Sequence, residues 1–290
     1  MQGNQLLVTG VNAQESLAIR LAGLWIYPVK SCAGVAVMSA ELDAYGGLKG
    51  DREWLVVNTE GEMMWQGGIP RMALVRPVPD TDRLHLQAPG VPTLTVDPVA
   101  PGGACAVKIW NETTRAFDTF PGEDAGRASE AWLSDFLGQP LRLVRLGAAG
   151  LQRRTLNPLH LVARPSLQQL NERLKDRGHP PAELERFRPN LLIDAPAGVL
   201  APFAEENFAE VSWPRATGAP RVQLAGACAR CVMVNIDLVD ASVAQEPLAT
   251  VARMSRERRP DSPVCFGVYG RSENGGRLTR GDQGWAEIRR

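Results

Sequence analysis

Two cysteines stand three residues apart in Cys228-Ala229-Arg230-Cys231. This spacing suits half of a zinc site, a redox pair, or two thiols that do no chemistry. No second Cys or His pair lies at a suitable distance for zinc. The pair also fails to open a helix after a thioredoxin-type strand. Arg230 favours a reactive thiol, because a neighbouring cation stabilises thiolate. Tyr27-Pro28-Val29-Lys30-Ser31-Cys32 follows an apolar run. Lys30 and Ser31 leave a strand there, where an ammonium, a hydroxyl and a backbone N–H can meet an oxyanion; the plain alternative is a solvated lysine. Gly50-Asp51-Arg52 enters the apolar run 54–58, with Asp51 readable as a turn residue. Phe187-Arg188-Pro189-Asn190 precedes the run 191–194. Pro189 fixes an extended entry, so Arg188 and Asn190 point the same way at period two. An arginine that caps carbonyls is the alternative there.

Other chemistries find little support. The three histidines, His85, His160 and His179, are not spaced to share a metal, and neither a GxxxxGK[ST] nor a GxGxxG loop occurs. The chain carries 32 Lys+Arg against 32 Asp+Glu, a net charge of zero. That argues against broad electrostatic binding of nucleic acid or an anionic membrane. Only Lys30, Lys49, Lys108 and Lys175 are lysines; the remaining cations are arginines, whose planar forks suit oxyanions. No run of 18 apolar residues and no signal-peptide pattern is present, which predicts a cytoplasmic protein. Five cysteines in a reducing compartment predict free thiols rather than a disulfide framework.

The elements that must hold these residues are mostly strands. With 290 residues, about two domains are expected. Glycine and proline punctuate short apolar runs at 24–29, 54–58, 83–87, 106–110, 141–146, 191–194, 221–224 and 232–238, as in barrels or sandwiches. Three helices stand out. Residues 125–137 place Ala128, Trp132, Leu133, Phe136 and Leu137 on one face, and Gly138 stops them. Residues 166–177 open on a capping-box pattern, Ser166 with Gln169, and close at Gly178. The third opens at Pro247 and ends in the basic run 256–259. The fold class is α+β and predominantly β: a β-barrel-like domain over 20–147 and a second barrel domain with a few helices over 150–290.

In this order the segments resemble one family: MOSC-domain proteins with an N-terminal β-barrel partner domain. The amidoxime-reducing molybdenum proteins have this architecture, as does the C-terminal part of molybdenum cofactor sulfurases. The matching stretches are LWIYPVKSCAG and GLKGDREWLVV within 24–57, PRMALV at 70–75, 161–170, RFRPNLLI at 186–193, 203–206, CARCVMVNID at 228–237, FGVY at 266–269 and Gly281-Asp282. The resemblance implies that Cys231 is the thiolate ligand of molybdenum and the catalytic residue. It implies that Lys30, Ser31, Arg52, Ser166, Arg188 and Asn190 hold molybdopterin and its phosphate, in a pocket to which both domains contribute. It further implies reduction of a small N-hydroxylated or N-oxygenated substrate. No cysteine cluster for iron–sulfur is present, so electrons are expected from a separate donor protein of iron–sulfur or flavin reductase type. The other role that Cys231 could serve is that of a cofactor-binding protein or a persulfide sulfur carrier.

Two positions depart from the amidoxime-reducing pattern. Trp65-Gln66-Gly67-Gly68 lacks an arginine of a Thr-x-Arg, and Arg164 replaces an acid two residues before Ser166. Both are expected near the metal mouth. There they make it about one charge more positive, favouring anionic or electron-rich substrates over cationic amidines. Arg164 is expected to supply the phosphate charge that the missing arginine no longer gives.

Overall fold

The computed structural model describes residues 16–80, 83–96, 102–153, 157–214 and 219–289. The long strand Ser16–Ile26 alternates in burial at its start and is almost continuously buried towards its end. A strand with both faces covered reads this way, and both edges of this one are paired as well. It runs antiparallel to Gln283–Ile288 on one side and to Leu191–Asp194 on the other. From Leu191–Asp194 the sheet continues through Leu159–Ala163, Cys265–Ser272, Arg221–Ala229 and Phe208–Ser212 back to Gln283–Ile288. Seven strands therefore close into a barrel with no free edge. Ile19, Leu21, Leu24, Leu161, Ile193, Phe208, Val211, Trp213, Val222 and Val268 belong to its core.

The remaining strands form smaller sheets. Trp54–Val57, Arg142–Leu146, Ala116–Asp124 and Gly103–Asn111 pair in that order, and Arg76–Pro79, Leu84–Ala88 and Val91–Val96 form a second sheet. The helix Arg127–Leu137 packs Leu133, Phe136 and Leu137 into the core these sheets share with Val29, Cys32, Trp54 and Met72. It ends at Gly138, whose φ of 77° is the left-handed stop read from the sequence.

Two local readings are corrected. The run 232–238 is not a strand: Val232–Asn235 forms a 3-10 turn. An apolar run of this length has no periodicity that separates the two outcomes. Asn235 decides it, because its side-chain oxygen accepts from Leu248 N at 2.8 Å and so folds the segment onto the helix Leu248–Arg258. Ser166 is not a cap either. The helix Arg164–Asp176 opens two residues earlier, with Pro165 in its first turn and Ala163 as its flanking residue. A proline is tolerated there because that turn has no intrahelical N–H to lose. Among the described residues, no helix is long and apolar enough to cross a membrane.

Candidate functional site

Where Ser16–Ile26 ends, the chain enters Tyr27 and the segment leading to Ser31. Arg52 N donates to Tyr27 O at 2.7 Å, Trp54 N to Pro28 O at 3.0 Å and Lys30 N to Trp54 O at 2.8 Å. These bonds zip residues 27–30 against 52–54 and place Lys30, Ser31 and Arg52 together. Tyr27 is the residue that sequence reasoning overlooked. It is fully buried, its N–H donates to Asp51 Oδ1 at 2.7 Å, and its hydroxyl donates to Pro189 O at 3.1 Å. The guanidinium of Arg188 lies 4.3 Å from its ring centroid and that of Arg52 lies 4.8 Å away. One aromatic ring thus organises cations from both halves of the chain. The signal was its place immediately before Pro-Val-Lys-Ser.

Asn190 ties this cluster to the barrel. Its side-chain oxygen accepts from Arg52 Nη1 at 3.2 Å and from His160 N at 3.2 Å, and its Nδ2 donates to Trp25 O at 3.1 Å. Ser31, Arg52 and Arg188 have φ values of 65°, 56° and 54°, so the extended, period-two entry expected at Arg188 before Pro189 does not form. They make up half of the six non-glycine residues with left-handed backbone among those described. Such conformations persist only where surrounding structure enforces them, and they concentrate at functional sites.

The electrostatics are lopsided. Lys30, Arg52 and Arg188 face one fully buried carboxylate, Asp51, which is paired to Arg52 and to the Tyr27 amide. Burial, and then the charges of Arg52, Arg188 and Arg153, push the partly exposed Lys30 ammonium down to about 8. Burial likewise lowers Arg188 to about 10. Arg188 Nη1 donates to Cys32 O, and its Nη2 is buried without a partner. A cation cluster with surplus charge and an unused guanidinium donor fits a group with an anionic end. Cys32 itself is a core thiol, pushed by burial up to about 12.

The cysteine pair divides by exposure. Cys228, at the end of Arg221–Ala229, is buried, and burial raises its thiol. Cys231 is exposed at the start of the 3-10 turn Val232–Asn235. Between them, Arg230 turns inward and donates to Phe187 O at 3.0 Å, directly before Arg188 in the chain. The exposed thiol is therefore anchored next to the cation cluster. His160, at the same end, is buried; burial and Arg230 hold its ring well below the usual histidine range, so it is neutral.

Two residues lie elsewhere. Ser166 is buried, donates to Glu205 Oε2 at 2.8 Å and accepts from Phe203 N at 2.8 Å. Arg164 Nε pairs with Asp194 Oδ2 at 2.8 Å. Asn190 and Asp194 stand at opposite ends of one strand, about 13 Å apart at a rise of roughly 3.3 Å per residue. Arg164 is thus held at the far end from the cluster. There it pairs with Asp194 and adds no charge to the Lys30, Arg52 and Arg188 cluster. The other departure does lie close by. Gln66 is buried beside Arg188 in a cavity of about 370 Å3 between the two halves of the chain. The Trp65 indole covers Gly67 so closely that a Cβ there would come within 2.2 Å of the ring.

A two-domain β protein with a cation cluster drawn from both domains and an exposed thiol beside it is thus defined. Residues 18–140 match the MOSC N-terminal beta barrel domain, and residues 151–283 match the MOSC domain. Human mitochondrial amidoxime-reducing component 1 is 32% identical over 90% of this chain and 81% of its own. Human mitochondrial amidoxime reducing component 2 is 29% identical over 90% and 82%. Molybdenum cofactor sulfurase of Danio rerio is 32% identical over 88% of this chain. The chain spans only about a third of that relative's length, 32%, and most of the length of the amidoxime-reducing components. The chain belongs to the MOSC-domain family.

Proposed function

We propose that this protein holds a molybdenum cofactor between its domains and reduces small N-hydroxylated compounds. Suitable substrates are amidoximes, hydroxylamines or N-hydroxylated bases. The observation that carries the proposal is the gathering of Lys30, Arg52 and Arg188 around Tyr27, with one buried carboxylate paired to Arg52 and an exposed Cys231 on the turn that Arg230 ties to Phe187. When bound, the molybdenum centre supplies two-electron oxygen-transfer chemistry. Cys231 offers the soft thiolate that such a metal takes. Lys30, Arg52 and Arg188 neutralise the pterin phosphate, and the Arg188 donor without a partner gains one. Ser31 adds a hydroxyl at the left-handed turn after Lys30. Asn190 fixes the Arg52 fork rather than reaching the ligand.

Cleavage of an N–OH bond consumes two electrons and two protons and releases water. The electrons come from a separate donor protein. His160 is buried and neutral, which makes it a poor proton source at neutral pH. The exposure of Cys231 also favours a second reading, in which the chain carries the cofactor or a persulfide to another protein. Metal analysis with a pterin fluorescence assay on purified protein separates them. Stoichiometric molybdenum and pterin, with turnover of benzamidoxime on an artificial donor, supports the reductase. Pterin without turnover supports the carrier of cofactor, and cyanide-labile sulfur without pterin supports the persulfide carrier.

A further inference from the structure

Arg230 spends its guanidinium in an unusual way. Its Nε and Nη2 both donate to Phe266 O, at 3.0 and 2.7 Å, and Nη1 donates to Phe187 O at 3.0 Å. Nη2 also meets the ring of His160. Among the described residues no carboxylate pairs with it. Its backbone N–H donates to Val264 O at 2.7 Å. Phe187 and Phe266 stack with ring centroids 4.4 Å apart, and the Arg230 guanidinium lies 5.9 Å from the Phe187 centroid. The His160 backbone in turn makes two bonds to Asn190: Asn190 N donates to His160 O at 2.8 Å, and the Asn190 side-chain Oδ1 accepts from His160 N at 3.2 Å. One side chain therefore joins the turn that bears Cys231, the 3-10 turn that ends at Arg188, and the strand end that holds Asn190 and, through it, Arg52.

We infer that Arg230 is the positioning residue that makes the thiol half and the cation half of the site one rigid unit. It touches neither substrate nor cofactor. A planar fork is needed because two carbonyls on different segments must be bridged at once, which a lysine ammonium does with poorer geometry. This role rests on the assignment of Cys231 and Arg188 to one ligand, so the test has an arm that does not use that ligand.

In cofactor-free protein, amide hydrogen exchange is compared between wild type, Arg230→Met, Arg230→Lys and His160→Gln. The expected result is exchange at least tenfold faster in residues 184–190 and 231–235 together in Arg230→Met, with the helix Arg164–Asp176 within twofold of wild type. Arg230→Lys should recover much of the protection, staying within about threefold of wild type, and His160→Gln should loosen the Asn190 end more than the Cys231 end. Faster exchange across the whole chain, or in 231–235 alone, would overturn the inference. Arg230→Lys keeps the charge; if Arg230→Met fails to fold, a two- to threefold faster exchange at both segments in Arg230→Lys supports the inference and exchange equal to wild type at either segment overturns it. The second arm takes cofactor-loaded Arg230→Lys, with pterin content measured beside the Mo(V) electron paramagnetic resonance spectrum. An altered or heterogeneous spectrum at a pterin content within threefold of wild type is expected, and an unchanged spectrum counts against the role. A wild-type protein that binds neither pterin nor molybdenum would sink the proposed function, while the exchange arm would still decide whether Arg230 couples the two segments.

Discussion

Cys231 and Cys228 share a motif and differ in everything that matters to a metal. One is exposed, and the other is buried with its thiol raised by burial. Cys231→Ala should abolish N-reductive turnover and lower bound molybdenum to background. Cys228→Ala should keep at least half of both. Equal losses in the two variants would show that the pair acts together. Lys30 gives a pH test. An anion held by the ammonium favours its protonated form, and in the free protein that form is lost as pH rises through about 8. Affinity for a phosphate monoester should therefore be flat below that value and fall above it by up to tenfold per pH unit. In Lys30→Met, affinity at pH 7 should be about tenfold weaker and nearly independent of pH, as titration calorimetry at pH 7 and 9.5 would show. The cluster of Lys30, Ser31, Arg52, Arg188 and Asn190 was legible as residue types beside strand ends. The Tyr27 ring between its cations was not, because a contact between residues 27 and 188 depends on barrel closure.

The element scale explains both misreadings. Pro165 is a local start signal too, and it outweighs the Ser166 pattern one residue later; Asn235 folding a segment onto another helix is a tertiary fact that an apolar run does not reveal. The three helices and most strands were readable because turn residues bound them. One glycine inside a strand supports the site directly. Gly267 has φ of 72°, and a Cβ there would come within 2.4 Å of His160 Nε2 and 2.6 Å of Leu161 O. The strand Cys265–Ser272 can approach Leu159–Ala163 this closely only with glycine at that point. Gly267→Ala should cost on the order of 2–4 kcal/mol and lower Tm by roughly 5–10 °C. Calorimetry measures that loss, and a drop below about 2 °C would mean that His160 moves aside freely. Gly281, in the turn between Gly276–Thr279 and Gln283–Ile288, has φ of 100° and open space where a Cβ would go, which marks the difference between a turn glycine and a packing glycine.

At the scale of the molecule, order in sequence and order in space part company. Six strands of the closed barrel come from residues 159–288, but the seventh is Ser16–Ile26, more than a hundred residues upstream. Val35–Ala36 extends that strand's sheet, and Ser39–Leu42 pairs with Gly276–Thr279. Ile19, Leu21, Leu24, Ile26, Leu42 and Leu48 are all buried in the barrel core. The run 24–29 read from the sequence overlaps this strand only at residues 24–26, and nothing in its composition says which barrel it closes. The consequence is testable. A fragment of residues 148–289 lacks the strand that joins Leu191–Asp194 to Gln283–Ile288. It leaves two unpaired edges and an opened core, and exposed edges of this kind template aggregation. Each of those six side chains is worth roughly 1.5–3 kcal/mol when buried, and their combined loss of about 9–18 kcal/mol is as large as the 5–15 kcal/mol that keeps a typical domain folded. The fragment should therefore show no cooperative melting transition and should precipitate. Residues 16–49 joined ahead of residue 148 by a flexible linker should restore a cooperative transition, because the missing strand and its hairpin return in one piece. Circular dichroism melts of the two fragments measure this, and a well-behaved, cooperatively melting 148–289 fragment would show that the barrel does not need its first strand.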